Sequence, residues 1–266
     1  MGGLDEMKIL RIKKSLTLCL LFCLISGVAA FAAVKKSTPE EVLKQLFPKL
    51  RYSKITKTGI EGLYEVMTDG KIIYFYPKTG NLIIGEILDK EGRSLTRERL
   101  AEEKYKLLSP ADLKNAIKVG NGKNVVVEVT DPDCPFCRKM HTYWSMRSDV
   151  TRYIFFKPLD MHPDAAKKVK YVLSSSDKSK ALHEIYCGKY DNNREVLDKV
   201  YDDKGLSAAQ KAVAEKLQVS GTPSFWVNGK FVSGANIPLI ESMIGKLANS
   251  GSGSGHSSES TCVETK

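Results

Sequence analysis

The chain has 266 residues, with 41 Lys and Arg against 31 Asp and Glu for a formal charge of +10, and 42% hydrophobic side chains. This balance excludes wholesale disorder, and a single long apolar run excludes a multi-span membrane protein. The cations are scattered with no concentrated basic motif, so nucleic acid is not an expected partner.

Residues 1–32 read as a secretory signal peptide. Lys8, Arg11, Lys13 and Lys14 precede an apolar run from Leu16 to Val28, which is shorter than the ~20 residues a spanning helix needs. Ala30-Phe31-Ala32 offers a small-x-small exit, with cleavage after Ala32; an uncleaved anchor is the alternative. Met7 is an alternative start, since Asp5 and Glu6 are unusual before an apolar run of this type. Cleavage removes Cys19 and Cys23 and lowers the charge to +8. Cys134, Cys137, Cys187 and Cys262 then remain in an oxidising compartment, where a Cys-x-x-Cys reads as redox rather than metal chemistry.

Residues 33–95 form a small α+β domain. Thr38-Pro39-Glu40-Glu41 is a helix start with a capping box, and Pro48 stops that helix. Leu63–Thr68, Lys71–Tyr76 and Asn81–Leu88 read as three antiparallel strands, joined by Asp69-Gly70 and by Lys78-Thr79-Gly80-Asn81. At about 60 residues its core is marginal, and pairing with a second copy would stabilise it. Residues 96–110 predict a charged linker helix, with a peripheral surface helix as the alternative. Residues 111–248 run β-α-β, helical insert, β-β-α, an α/β layout. The helical insert has breaks near Ser174–Ser176 and Gly188–Asn193. Residues 249–266 are Gly/Ser-rich and predict a flexible tail.

The chemistry centres on Asp133-Cys134-Pro135-Phe136-Cys137, between a valine-rich strand and a helix. A helix N-terminus carries unpaired N–H groups and partial positive charge, so Cys134 is expected to have a depressed pKa and to be nucleophilic. Pro135 suits an early helical position, where no N–H is needed. Cys137, one turn deeper, would resolve a Cys134–substrate mixed disulfide. Cys134, Cys137 and His141 also have the spacing of three metal ligands, but a fourth is missing, so neither metal nor cofactor is expected. A structural disulfide is the other alternative, although so small a loop would constrain the unfolded chain little.

Two features support redox work. Ser220-Gly221-Thr222-Pro223 enters the next strand, and Thr222-Pro223 is a candidate cis peptide that would present backbone groups to an extended substrate. Glu128, within the Val125–Thr130 stretch, is a candidate proton acceptor for Cys137 if it is buried; an outward-facing position is the alternative. Tyr143, Trp144, Phe225 and Trp226 flank the motif and read mainly as core. His162, His183 and His256 receive no role.

The strand–Cys-x-x-Cys–helix element followed by Gly-Thr-Pro and a hairpin resembles a thioredoxin fold. With the secreted N-terminal domain and linker helix, the whole from about Thr38 to Leu247 resembles periplasmic thiol:disulfide interchange proteins of the DsbC/DsbG type. Thr130 to Cys137 and Val219 to Pro223 carry the likeness most specifically. The resemblance implies a cystatin-like dimerisation module, a V-shaped homodimer with a shared cleft, Cys134 as the attacking thiol, Cys137 as the resolving thiol and Pro223 as a cis-proline. It also implies reduction by a membrane thiol reductase of the DsbD type, and unfolded or misoxidised secreted proteins as clients. The leading functional reading is a periplasmic protein-disulfide isomerase with chaperone activity; a thiol oxidase, a dedicated reductase and a non-catalytic holdase are the alternatives. Pro135-Phe136 differs from the Gly-Tyr of some isomerases, which leaves the redox potential open. Some relatives carry a second cysteine pair in the helical insert. Here Ser174 stands near one such position, and Cys187 has no obvious partner nearby; a Cys187–Cys262 bond through the tail stays open, without support from the sequence.

Overall fold

The computed structural model describes residues 37–247 and Cys262. The expected signal peptide (1–32) lies outside them, as does the expected tail (249–266) apart from Cys262. Among the described residues, no helix is long and apolar enough to cross a membrane. By its internal contacts the chain divides into two units. One holds the described residues up to Val66 together with Tyr74–Ile83; the other holds Met67–Ile73 and the described residues from Ile84 on. The division falls before the expected boundary at residue 95.

Helix α1 (Pro39–Leu46) begins on a reciprocal cap. Thr38 Oγ1 accepts from Glu41 N at 3.2 Å, and the Glu41 carboxylate accepts from Thr38 N at 2.7 Å. Strands β1 (Lys54–Lys57), β2 (Tyr64–Thr68), β3 (Lys71–Tyr76) and β4 (Asn81–Ile83) form a sheet in chain order. Asp69 and Gly70 take φ of +44° and +75°, as a two-residue hairpin turn requires.

Two expectations are corrected here. The sheet has four strands rather than three, because the short polar stretch of β1 carries no apolar pattern. It is held by the turn after it, where Thr58 N donates to Leu63 O at 3.1 Å and Thr58 Oγ1 donates to Leu63 O at 2.9 Å. The last strand ends at Ile83, not Leu88. Ile87 N donates to Thr96 Oγ1 at 2.8 Å and Ile87 O accepts from Leu95 N at 2.9 Å, so this segment is tied to the Leu95-Thr96 pair and leaves the sheet.

The second unit contains α2 (Leu95–Tyr105), α3 (Pro110–Lys114), β5 (Ile117–Val119), β6 (Asn124–Thr130), α4 (Pro135–Ser145) and β7 (Val150–Phe156). Next along the chain are α5 (Ala165–Ser174), α6 (Lys178–Tyr186), α7 (Arg194–Leu197), α8 (Leu206–Lys216), β8 (Ser224–Val227), β9 (Lys230–Ser233) and α9 (Ile237–Ile244). Its five-stranded sheet has the order β5-β7-β6-β8-β9. Strand β6 runs parallel to β7 and antiparallel to β8, with Glu128 opposite Ile154 on one side and Phe225 on the other. That central position explains its valine run, since helices cover both faces. Val126, Phe225 and Val227 pack with Met140, Tyr143 and Trp144 of α4. Val127, Val129, Phe155 and Trp226 pack with Val213 and Ala214 of α8. Ile154 and Phe156 join Cys134, Cys137 and the apolar faces of α5 and α6.

Helix α2, expected as a linker, is anchored on this unit. The Ala101 carbonyl accepts from Trp226 Nε1 at 3.0 Å, and Tyr105 stacks on Trp226 with ring centroids 6.2 Å apart. The three-residue edge strand β5, antiparallel to β7, is too short to stand out in the sequence.

Candidate active site

Strand β6 ends at Thr130, and the turn Asp131-Pro132-Asp133 delivers the chain to α4. Asp131 shapes that turn: its Oδ1 accepts from Asp133 N at 2.8 Å, and its main-chain oxygen accepts from Cys134 N at 3.2 Å. Its Oδ2 accepts from Leu159 N at 2.7 Å and lies 2.9 Å from His162 Nδ1. A buried carboxylate must be satisfied in this way or be costly.

Cys134 is the N-cap of α4, with extended backbone, and Pro135 occupies the first turn. The first-turn N–H groups therefore surround its position with partial positive charge. Both Cys134 and Cys137 are buried free thiols. Cys134 Sγ donates to the Thr222 carbonyl at 3.5 Å, and Cys137 Sγ accepts from Asp131 N at 3.4 Å. Burial pushes the Cys137 thiol far above its ordinary range; the Thr130 hydroxyl and the Asp131 N–H oppose this only in part. Phe136, between the two cysteines, is exposed.

The Thr222–Pro223 bond is cis. Through the Thr222 carbonyl, 88 residues along the chain from Cys134, the loop before β8 touches the N-cap sulfur. Thr222 Oγ1 is buried and has no hydrogen-bond partner among the described residues.

Glu128 is buried and accepts from Arg152 Nη1 at 3.3 Å. Burial raises its pKa, while Arg152 and the Thr130 side chain pull it down. Burial likewise lowers the Arg152 pKa, and the Glu128 charge opposes it. By the period of two in a strand, Glu128 shares the face of Thr130, whose hydroxyl lies 2.7 Å from Tyr186 Oη.

Three groupings had little or no signal in the sequence. Arg138 reaches Asp133 at 3.2 Å and Asp191 at 2.5 Å, and Lys168 contacts both carboxylates. The Arg138 guanidinium, with Lys168, pulls Asp191 down to about 2. These groups border a hollow of about 530 Å³ that also touches Pro135 and His162. Lys168 and Asp191 could not be assigned in advance, because only the helical insert brings them to the motif. The Asp-Pro-Asp turn was a readable signal for the first carboxylate. The other groupings are Asp131 with His162, and His141 with His183, whose Nε2 and Nδ1 atoms are 3.1 Å apart. His141 thus faces His183 and stacks on Tyr186, with ring centroids 4.8 Å apart. Tyr143, Trp144, Phe225 and Trp226 are all buried in the core.

Residues 29–97 match the disulfide bond isomerase protein N-terminal domain, and residues 110–238 match a thioredoxin-like domain. The chain is 24% identical over 227 residues to thiol:disulfide interchange protein DsbC of Escherichia coli K12, covering 82% of this chain and 91% of that protein. It is 29% identical over 183 residues to probable thiol:disulfide interchange protein DsbC of Bordetella pertussis, covering 65% of this chain and 61% of that one. The crystal structure of a disulfide interchange protein from Neisseria gonorrhoeae aligns at 33% identity with TM-score 0.42, over 50% of this chain and 94% of that one. With a disulfide-isomerase N-terminal domain followed by a thioredoxin-like domain, the chain belongs to the DsbC-type thiol:disulfide interchange proteins, enzymes of the thioredoxin-fold oxidoreductase class.

Proposed function

We propose that this protein is a periplasmic protein-disulfide isomerase, exported by its N-terminal signal peptide and active as a homodimer through the N-terminal domain. The observation that carries the reading is the asymmetry of the thiol pair. Cys134 caps a helix N-terminus and faces the Thr222 carbonyl, whereas Cys137 is enclosed and held protonated by burial.

The Cys134 thiolate attacks one sulfur of a wrong substrate disulfide, forming a mixed disulfide and expelling a substrate thiolate. In the isomerase route that thiolate, or another on the substrate, attacks the substrate sulfur of the mixed disulfide. A rearranged disulfide forms, Cys134 is released and no net oxidation occurs. In the reductive route Cys137 gives up its proton and attacks Cys134 Sγ. The substrate leaves as a thiolate, and the new Cys134–Cys137 disulfide needs a dithiol donor, such as a membrane reductase of the DsbD type, to restore it. The buried Glu128 carboxylate serves as acceptor for the Cys137 proton, and the strand entered at Thr222-Pro223 offers its backbone to extended clients. A cleft between two copies would hold unfolded clients and give chaperone activity.

Refolding of scrambled ribonuclease by the full-length protein tests this. Cys134→Ala should abolish isomerisation, and Cys137→Ala should retain part of it while accumulating mixed disulfides. Full activity in Cys134→Ala would sink the assignment.

A further inference from the structure

The second cysteine pair has chemistry of its own. Cys187 and Cys262, 75 residues apart in sequence, are joined by a disulfide with their Cα atoms 5.0 Å apart. Cys187 caps the C-terminus of α6, and His183 stands one turn earlier on the same face. The His183 ring nitrogens lie 3.5 Å (Nε2) and 3.8 Å (Nδ1) from Cys187 Sγ. One donor atom each from His183, Cys187 and Cys262 falls within 4.8 Å of the others; among the described residues no other His, Cys, Asp or Glu side chains converge in this way. Behind the group, buried His141 faces His183 Nδ1 at 3.1 Å, and its ring is fixed by stacking on Tyr186.

We propose that reduction of the Cys187–Cys262 disulfide opens a site for a soft divalent cation of the zinc type, held by Cys187 Sγ, Cys262 Sγ and His183 Nε2. The donor set is one that zinc prefers. In a tetrahedral site, bonds of about 2.3 Å to sulfur and 2.0–2.1 Å to nitrogen put those two donors roughly 3.5 Å apart. The Cys187–His183 separation already has that value. The two sulfurs need only part to about 3.8 Å, the spacing of two thiolates on one zinc, which a side-chain rotation can supply. His141 would act as the outer partner that ligating histidines require. With His183 Nε2 on the cation, His183 Nδ1–H donates to His141 Nε2 and fixes the tautomer.

The steps balance. A dithiol passes two electrons and two protons to the disulfide and becomes a disulfide itself, while Cys187 and Cys262 become thiols. Cation binding then displaces both thiol protons and leaves a fourth position for water. Disulfide and cation exclude each other, so the bound metal would protect the reduced state. This inference does not depend on the isomerase reading.

The test uses the full-length chain carrying Cys134→Ala and Cys137→Ala, so that the motif thiols cannot compete for metal. After anaerobic reduction and desalting it is titrated with Co²⁺ and then Zn²⁺. One Co²⁺ per chain should bind, with a thiolate-to-cobalt charge-transfer band and tetrahedral d–d bands, and Zn²⁺ should displace it. The oxidised protein should show neither band. Cys187→Ser or Cys262→Ser should remove the charge-transfer band or weaken affinity by at least about 100-fold, and His183→Ala by at least about 10-fold. In the same parent protein, which needs no change at the site, Zn²⁺ should slow alkylation of Cys187 and Cys262. Absence of a charge-transfer band from the reduced protein, or bands and affinity unchanged in Cys187→Ser or His183→Ala, would overturn the proposal.

Discussion

The two units of this protein differ in how much they can dry out. In the first, Leu43, Val66, Tyr74 and Phe75 are fully buried, and Phe47 meets Phe75 edge-on with centroids 6.3 Å apart. Leu46, Ile60 and Ile83 nevertheless stay about half exposed. The second unit buries three apolar clusters on both faces of its sheet. It also holds Glu128, Arg152, Lys168, His141 and Cys137 almost wholly out of water. A small domain has too much surface for its volume to enclose such groups, whereas a larger one encloses them and thereby alters their chemistry. The buried thiols Cys134 and Cys137 and the buried Glu128–Arg152 pair all lie in the larger unit. The apolar surface left on the smaller one supports its proposed role in pairing with a second copy.

That contrast can be broken. Phe75→Ala should cost about 3–5 kcal/mol, comparable to the whole stability of so small a domain. It should abolish the dimer in sizing and the first unit's own unfolding transition, while the second unit keeps its transition. Phe155→Ala, with a similar cost in the larger core, should lower the main transition without abolishing it. Equal responses would remove the distinction.

Glu128→Ala leaves Arg152 buried without its carboxylate and should cost about 3–5 kcal/mol by denaturant melts. Joint replacement by Glu128→Leu and Arg152→Met should recover most of that loss. Failure of the pair to recover would mean that the loss is not a stranded charge and that the Glu128–Arg152 pair itself contributes net stability.

The His141 response depends on pH. Burial first, then the Arg152 and His183 charges, lower its pKa to about 3 from an ordinary 6.5. The native state refuses a proton that the unfolded chain accepts. The stabilisation is therefore complete above pH 6.5 and is lost as pH falls toward 3. Thermal melts should show a decline on the order of 4–5 kcal/mol over that range, flattened by His141→Phe. A profile identical in the variant would assign the decline to other groups.

The smallest effect is expected in the smaller unit, where Thr38→Ala removes the α1 cap at a cost of about 1 kcal/mol. It should move the first unit's transition and leave the second's in place.

Much of the architecture was legible because it is local. The Thr38–Glu41 cap and the Asp69-Gly70 turn each arise from side chains or backbone freedom within a few residues. The valines of β6 identify a strand covered on both faces by the same reasoning. Strand β1 escaped notice because its pairing, not its own composition, makes it a strand. The end of β4 was misread because Ile87, apolar and β-branched, bonds to Leu95 and Thr96 instead of extending the sheet. Glu128 was readable as a carboxylate among valines, but only the position of Arg152 decided that it turns inward to a partner.

By itself the sequence determined the identity of the thiol pair, its place at a helix start and the order of the elements around it, because spacing along one chain controls each of these. The six cysteines divide into two in the expected leader, two in the motif and two left over. Only the tertiary structure joined the last two, Cys187 and Cys262, and set His183 beside them. It also brought the Thr222 carbonyl to Cys134 and the Lys168–Asp191 pair to the turn before it. Contacts between residues tens of positions apart depend on how helices and sheet pack, and packing is a property of the assembled core that no local pattern encodes.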